Sequence, residues 1–131
     1  MLVLGAATSF GLWRRARDGR IRTAKSVERM DGDVLTPAEL GGELGSRATL
    51  VQFSSAFCQP CRAARTVLSR VAETADGVVH IEIDAESRLD LVRRLRVVRT
   101  PTTLVLDGTG RVLGRATGAP RLEDVRASLP A

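Results

Sequence analysis

The sequence has no tyrosine, and aromatic residues make up only 3% of its 131 positions. That excludes an aromatic platform on which single-stranded nucleic acid could stack. The core must be built from Leu, Val, Ile and Ala instead. One His and two Cys are present, too few for the four ligands of a structural zinc site, so no metal is expected. No apolar stretch has the length of a membrane span: Met1–Trp13 reaches about 20 Å as a helix, against a hydrocarbon core of about 30 Å. The chain is about one domain long, which leaves no room for a second domain with its own cofactor fold. Hydrophobic residues at 44% and charged residues at 27% are ordinary globular usage, so the chain is neither disordered nor fibrous.

The net charge of +5 is not spread over the molecule. Arg14, Arg15, Arg17, Arg20, Arg22, Lys25 and Arg29 face only Asp18 and Glu28 within residues 1–30. Residues 31–131 balance 13 Arg against 13 acids. The body is neutral, which argues against a broad basic groove and against nucleic acid as a partner.

The apolar segment 1–13 precedes the Arg cluster, the reverse of a cleaved secretory signal. Three readings stand: the tail of a membrane anchor that starts further upstream, a segment lying on a membrane surface through residues 1–25, or a partly docked N-terminus. As an anchor it would keep the Arg cluster inside and the domain on the cytoplasmic side. Residues 14–32, charged and carrying Gly19 and Gly32, read as an Arg-rich linker, and 33–131 as the folded domain.

Within that domain Thr36-Pro37-Ala38-Glu39 is a helix start, and the helix is expected to run to about Leu44 and stop at Gly45. Thr49–Phe53 has the length and composition of a buried central strand. Cys61, Ala64, Val67, Leu68, Val71 and Ala75 share one helical face, with Arg62, Arg65, Ser69 and Glu73 on the other. Val79, Ile81 and Ile83 alternate with polar residues as in a strand, and Leu89, Val92 and Leu95 mark a further helix. Thr102–Leu106 and Arg111–Thr117 read as a hairpin, followed by an amphipathic helix from Pro120. The order β-α-β-α-β-α-β-β-α implies a central mixed sheet with helices on both faces, expected to be largely parallel and closed by the hairpin.

The two cysteines fall at Cys58 and Cys61, a separation that chance produces about 1.5% of the time. Cys58 follows a buried strand and opens a helix, where free N–H groups and the helix dipole favour a thiolate. Cys61, one turn on, can attack a mixed disulfide at Cys58, and Pro60 fits the first turn. The reading is Cys58 as nucleophile and Cys61 as resolving thiol. Two inert buried thiols are the alternative.

Phe53-Ser-Ser-Ala-Phe57-Cys58-Gln59-Pro60-Cys61-Arg62, Ile83-Asp84, Thr100-Pro101-Thr102, Gly110 and Gly118 together resemble the thioredoxin family over residues 33–131. The resemblance implies an α/β thioredoxin-like fold and thiol–disulfide exchange with no cofactor beyond the cysteine pair. It also implies that Pro101 is cis beside the cysteines, leaving the Thr100 backbone to dock an extended substrate. Phe57, Gln59, Pro60 and Thr100 become the expected substrate-contacting residues. Protein disulfides are the implied substrates, an upstream disulfide reductase the electron donor, and a monomer the working form.

The departures from the family pattern are specific. The buried acid that usually lies six residues before the first cysteine is Gln52 here, and its usual Lys partner is His80. A neutral Gln–His pair stands in for an ion pair. His80 is then either a hydrogen-bonded core residue or a proton acceptor for Cys61, directly or through water. A protein-disulfide reductase is the leading function. A disulfide oxidase or isomerase of the same fold, and a redox-silent interaction module, are the alternatives.

Overall fold

The structure, a computed structural model, describes Glu28–Arg29 and residues 33–131. The expectations for the apolar segment 1–13 and for the rest of the Arg-rich stretch lie outside the described residues. No helix among the described residues is long and apolar enough to cross a membrane.

The elements are β1 (Glu28–Arg29), α1 (Pro37–Leu40), β2 (Ala48–Ser54), α2 (Gln59–Thr74), β3 (Val78–Asp84), α3 (Leu89–Arg94), β4 (Thr102–Asp107), β5 (Val112–Thr117) and α4 (Leu122–Ser128). This is the expected order. Its opening strand lies inside the stretch read as linker, where Glu28 and Arg29 pair antiparallel with Arg115 and Gly114 of β5.

Helix α1 begins with a reciprocal cap. Glu39 donates its N–H to the Thr36 hydroxyl at 3.2 Å, and the Glu39 carboxylate accepts the Thr36 N–H at 2.9 Å. It ends at Leu40, four residues short of the expected Leu44. Gly41 adopts the left-handed conformation at φ 72°, and the N–H groups of Gly41 and Gly42 both close onto the Pro37 carbonyl. In α3 the inward stripe is Leu91 and Leu95, with Val92 beside them, while Leu89 is 52% exposed. The i, i+4 pair faces the sheet in so short a helix, and the residue at its first position does not.

The sheet order is β1-β5-β4-β2-β3. Only β2 and β3 are parallel; β4 runs antiparallel to β2, so the sheet is mixed and not largely parallel. The connection through α3 leaves β3 beside Ser54 and returns to the same end of the sheet, where Thr102 pairs with Phe53. β4 therefore starts where β3 ended and runs the other way.

Two apolar clusters sandwich the sheet. Val51, Phe53, Ile83, Leu104 and Leu106 pack with Leu40, Leu91 and Leu95 under α1 and α3. Ala48, Leu50, Val78 and Val105 pack with Leu68, Val71 and Val125 under α2 and α4. β2 is buried along its whole length. Its alternation puts Ala48, Leu50 and, by the same parity, Gln52 on the α2 side.

Candidate active site

The chain leaves β2 at Ser54 and enters α2 at Gln59, with Phe57 and Cys58 in the sharp turn between. Phe57 has a left-handed backbone, φ 56°, which costs an L-residue about 1–2 kcal/mol. Its ring is fully exposed. Cys58 caps α2, and its sulfur accepts the Cys61 N–H at 3.2 Å. Gln59 and Pro60 occupy the exposed first two helical positions, where the missing proline N–H costs nothing.

Cys58 and Cys61 are joined as a disulfide, with Cα atoms 5.2 Å apart. The two sulfurs are not equivalent. Cys58 is partly exposed, whereas Cys61 is 1% exposed on the sheet-facing side of α2. The N–H bond and the positive end of the helix act on Cys58 and favour a thiolate there once the bond is reduced.

Beneath Cys61 lies a polar chain. The Gln52 side chain, with no exposure, donates to the Cys61 carbonyl at 2.8 Å and to the Ser54 hydroxyl at 2.9 Å. Because a carbonyl can only accept, the amide nitrogen of Gln52 must face Cys61, and its oxygen faces His80 Nε2 at 3.0 Å. That nitrogen therefore carries a proton. Burial pushes the His80 pKa below its ordinary 6.5; Glu82 opposes this and Arg65 assists it. The ring is thus neutral at pH 7, and Nδ1 accepts from the Ser69 hydroxyl at 3.3 Å. Of the two readings of His80, the geometry fits the hydrogen-bonded core residue. Its lone pair is directed at Ser69, and Gln52 stands between its other nitrogen and Cys61.

The second segment of the site enters from β4. The Thr100–Pro101 peptide bond is cis. The Thr100 hydroxyl is 2.7 Å from that of Ser55, three residues before Cys58, and the Pro101 carbonyl accepts the Gly118 N–H at 2.8 Å. Thr102 lies opposite Phe53 in the sheet. Upstream, Arg96 is left-handed at φ 53° and Val98 is 88% exposed. Arg115 of β5 holds this loop by donating to the Arg96 carbonyl at 2.9 Å and to the Leu95 carbonyl.

The structure thus brings Cys58, Cys61, Gln52 and His80 into one connected cluster and sets Thr100 and Pro101 at the same end of the sheet. Ser55, Ser69 and Val98 carry no sequence signal that marks them as site residues. Helical period puts Ser69 on the outer side of α2, and only the pairing of β2 with β3, which sets His80 beside Leu50, reveals its partner. Among the described residues no group of three or more His, Cys, Asp or Glu side chains could hold a metal ion.

The thioredoxin family model matches residues 34–131. Among curated proteins, the human thioredoxin domain-containing protein 2 is 33% identical over 60 residues, which are 46% of this chain and 11% of that protein. Rice thioredoxin H2-1 is 27% identical over 78 residues, 60% of this chain and 56% of the relative. Both alignments thus span less than two thirds of the relative's own length. Spinach chloroplast thioredoxin F superposes with a TM-score of 0.59 at 22% identity, covering 81% of this chain and 98% of that one. Yeast mitochondrial thioredoxin 3, in its oxidised form, gives 0.56 at 18% identity over 64% and 77%. These structural likenesses concern the fold. With the family model matched from before the first helix to the last residue, around a disulfide-forming Cys58–Cys61 pair, the chain belongs to the thioredoxin family.

Proposed function

We propose that this chain is a protein-disulfide reductase whose redox couple is the Cys58–Cys61 pair. Members of the family carry their two electrons on their own cysteines and need no cofactor. The observation that carries the reading is the asymmetry of the pair: one sulfur reachable at a helix N-terminus, the other buried one turn behind it. In the reduced protein the Cys58 thiolate attacks one sulfur of a client disulfide, forming a mixed disulfide and releasing the other client sulfur as a thiolate. Cys61 then loses its proton and attacks Cys58 Sγ. The second client thiolate leaves and the Cys58–Cys61 bond closes. Two electrons pass to the client, one client thiolate takes the Cys61 proton and the other a proton from water, and an upstream disulfide reductase restores the dithiol.

Phe57, Gln59, Pro60, Thr100 and the cis Pro101 are the surfaces on which the client segment would lie. The cytoplasmic side, with a tether through residues 1–13, is supported by the order of apolar run and Arg cluster in the sequence. A redox titration of the full chain against thiol–disulfide buffers tests the reading. A potential near about −270 mV supports a reductase, a value near about −120 mV makes it an oxidant, and absence of a titrating pair leaves an interaction module.

A further inference from the structure

Three loops meet at the Cys58 end of the sheet. Residues 54–62 leave β2, 95–101 feed β4, and 117–121 leave β5. Ser55 to Thr100 at 2.7 Å and Gly118 to Pro101 at 2.8 Å tie them together. Their charged side chains are Arg62, Arg96, Arg99 and Arg121, with no Asp or Glu among them. All four are exposed, and none forms an ion pair with a described acid; the ion-paired arginines are Arg65, Arg88 and Arg94, on Glu82, Asp90 and Glu39.

The body as a whole is neutral, so this single sign is not inherited from composition. The acids at this end of the sheet are Glu123 and Asp124 in the first turn of α4 and, on the other flank after β3, Asp84, already bonded by the Glu86 N–H and the Ser87 hydroxyl, and Glu86. Since β3 and β4 flank β2 on opposite sides, the side toward β4 and β5 carries four arginines against Glu123 and Asp124, and the side toward β3 carries Asp84 and Glu86.

Two further observations belong to the same surface. Phe57 and Val98, 104% and 88% exposed, put apolar contact area beside Cys58 and on the Pro101 loop. The two non-glycine residues held in left-handed backbone among the described residues are Phe57 and Arg96, one from the apolar pair and one from the rim. A fold that holds a phenylalanine and an arginine where glycine would fit without strain has conformations there set by the loops' surroundings, as at binding sites.

We infer that the arginine rim selects clients, and that the site takes an extended protein segment whose disulfide is flanked by acidic residues on the β4 side. The inference rests on the reductase reading and names its substrate class. A client sulfur that reaches Cys58 brings its sequence neighbours within about a Debye length, 8–10 Å, of the rim, where exposed charges are not fully screened. Acidic flanks are drawn in, basic flanks are repelled, and the departing client thiolate leaves toward positive charge.

The test uses the reduced full-chain protein and rapid acid quench, counting released peptide thiol. One disulfide peptide carries Asp on both sides of its cysteine, a second carries Lys at the same positions, and hydroxyethyl disulfide serves as an uncharged reference. At low ionic strength the Asp peptide is expected to react about tenfold faster than the Lys peptide, with the ratio collapsing toward one at about 1 M salt. The R99E/R121E double variant should erase the Asp peptide's advantage while leaving the hydroxyethyl disulfide rate unchanged. Equal rates for the two peptides, or an order that the double variant does not move, would overturn the inference and leave the reductase reading intact. Failure to reduce even hydroxyethyl disulfide sinks both.

Discussion

Gln52 donates its side-chain amide to the carbonyl of Cys61 across 2.8 Å, joining the interior strand β2 to the first turn of the helix that carries the disulfide. A carboxylate at this position would set its oxygens against that carbonyl. The amide instead satisfies it and turns its own oxygen toward His80. The cluster under the cysteines is therefore electrically neutral and held by hydrogen bonds, with its orientation fixed by which atoms can only accept.

Replacing Gln52 by leucine keeps the volume but leaves the half-buried His80 Nε2–H without its partner and removes the second bond on the Cys61 carbonyl, which keeps its helical bond within α2. The loss is about 1–3 kcal/mol. Urea denaturation of the oxidised protein should show this loss. A change below about 0.5 kcal/mol would mean that the network contributes nothing to stability.

His80 is the sole histidine of the chain, so its titration can be read without ambiguity by NMR. Burial lowers its pKa below 6.5, and the proton of the neutral ring belongs on Nε2. Between the folded value and 6.5 the unfolded chain binds more protons, so stability declines as pH falls from 7 through this window. The carboxylates held below their ordinary values, Glu39, Asp90 and Asp107, act lower, beneath 4.5. His80→Asn should flatten the upper part of the stability curve and leave the lower part. A ring that titrates at or above 6.5 would contradict this account.

The unequal exposure of the two sulfurs sets which one reacts. In the reduced protein at pH 7, iodoacetamide should alkylate Cys58 at least about tenfold faster than Cys61. Cys61→Ser should accumulate a client mixed disulfide through Cys58, and Cys58→Ser should trap none. Peptide mapping by mass spectrometry reads both. Equal labelling would undo the assignment of nucleophile and resolving thiol.

Two glycines with similar backbone separate strain from crowding. Gly110 at φ 89° and Gly118 at φ 87° both penalise a side chain, but a Cβ at Gly118 meets nothing within 4 Å. At Gly110 it would lie 2.2 Å from the Leu35 carbonyl oxygen, in a segment already tied by the Leu35 N–H to the Gly110 carbonyl. Gly118→Ala should cost about 1–2 kcal/mol, and Gly110→Ala at least about 3 kcal/mol. Equal losses in urea titrations would show that crowding at Leu35 relaxes freely.

The sequence carried what is local. Apolar period placed β2, α2, β3, the hairpin and α4, because each buries one stripe or both faces whatever its neighbours are. The Cys58–Cys61 spacing and Pro60 announced a helix opening on a sulfur, because N-terminal geometry is set within four residues. Those same local signals failed where context decides. Thr36 and Glu39 announced α1, but the stop expected at Gly45 falls at Gly41, where the chain turns back onto Pro37.

Only the tertiary structure decided the rest. The direction of β4 depends on which end of the sheet the connection through α3 returns to, so the sheet is mixed although strands and helices alternate. Glu28–Arg29 have no strand pattern of their own and become one by lying against the edge of β5. His80 finds Gln52 and Ser69 because parallel register sets β3 beside β2 under the helix, across separations of 28 and 11 residues. The four arginines of the loops at the Cys58 end of the sheet lie in three segments up to 59 positions apart, Arg62 to Arg121, in a chain whose body is neutral. Hydrophobic period and turn chemistry act over a few residues and can be read in order. Charge patterns and buried hydrogen bonds act through space, and the fold had to bring those positions together first.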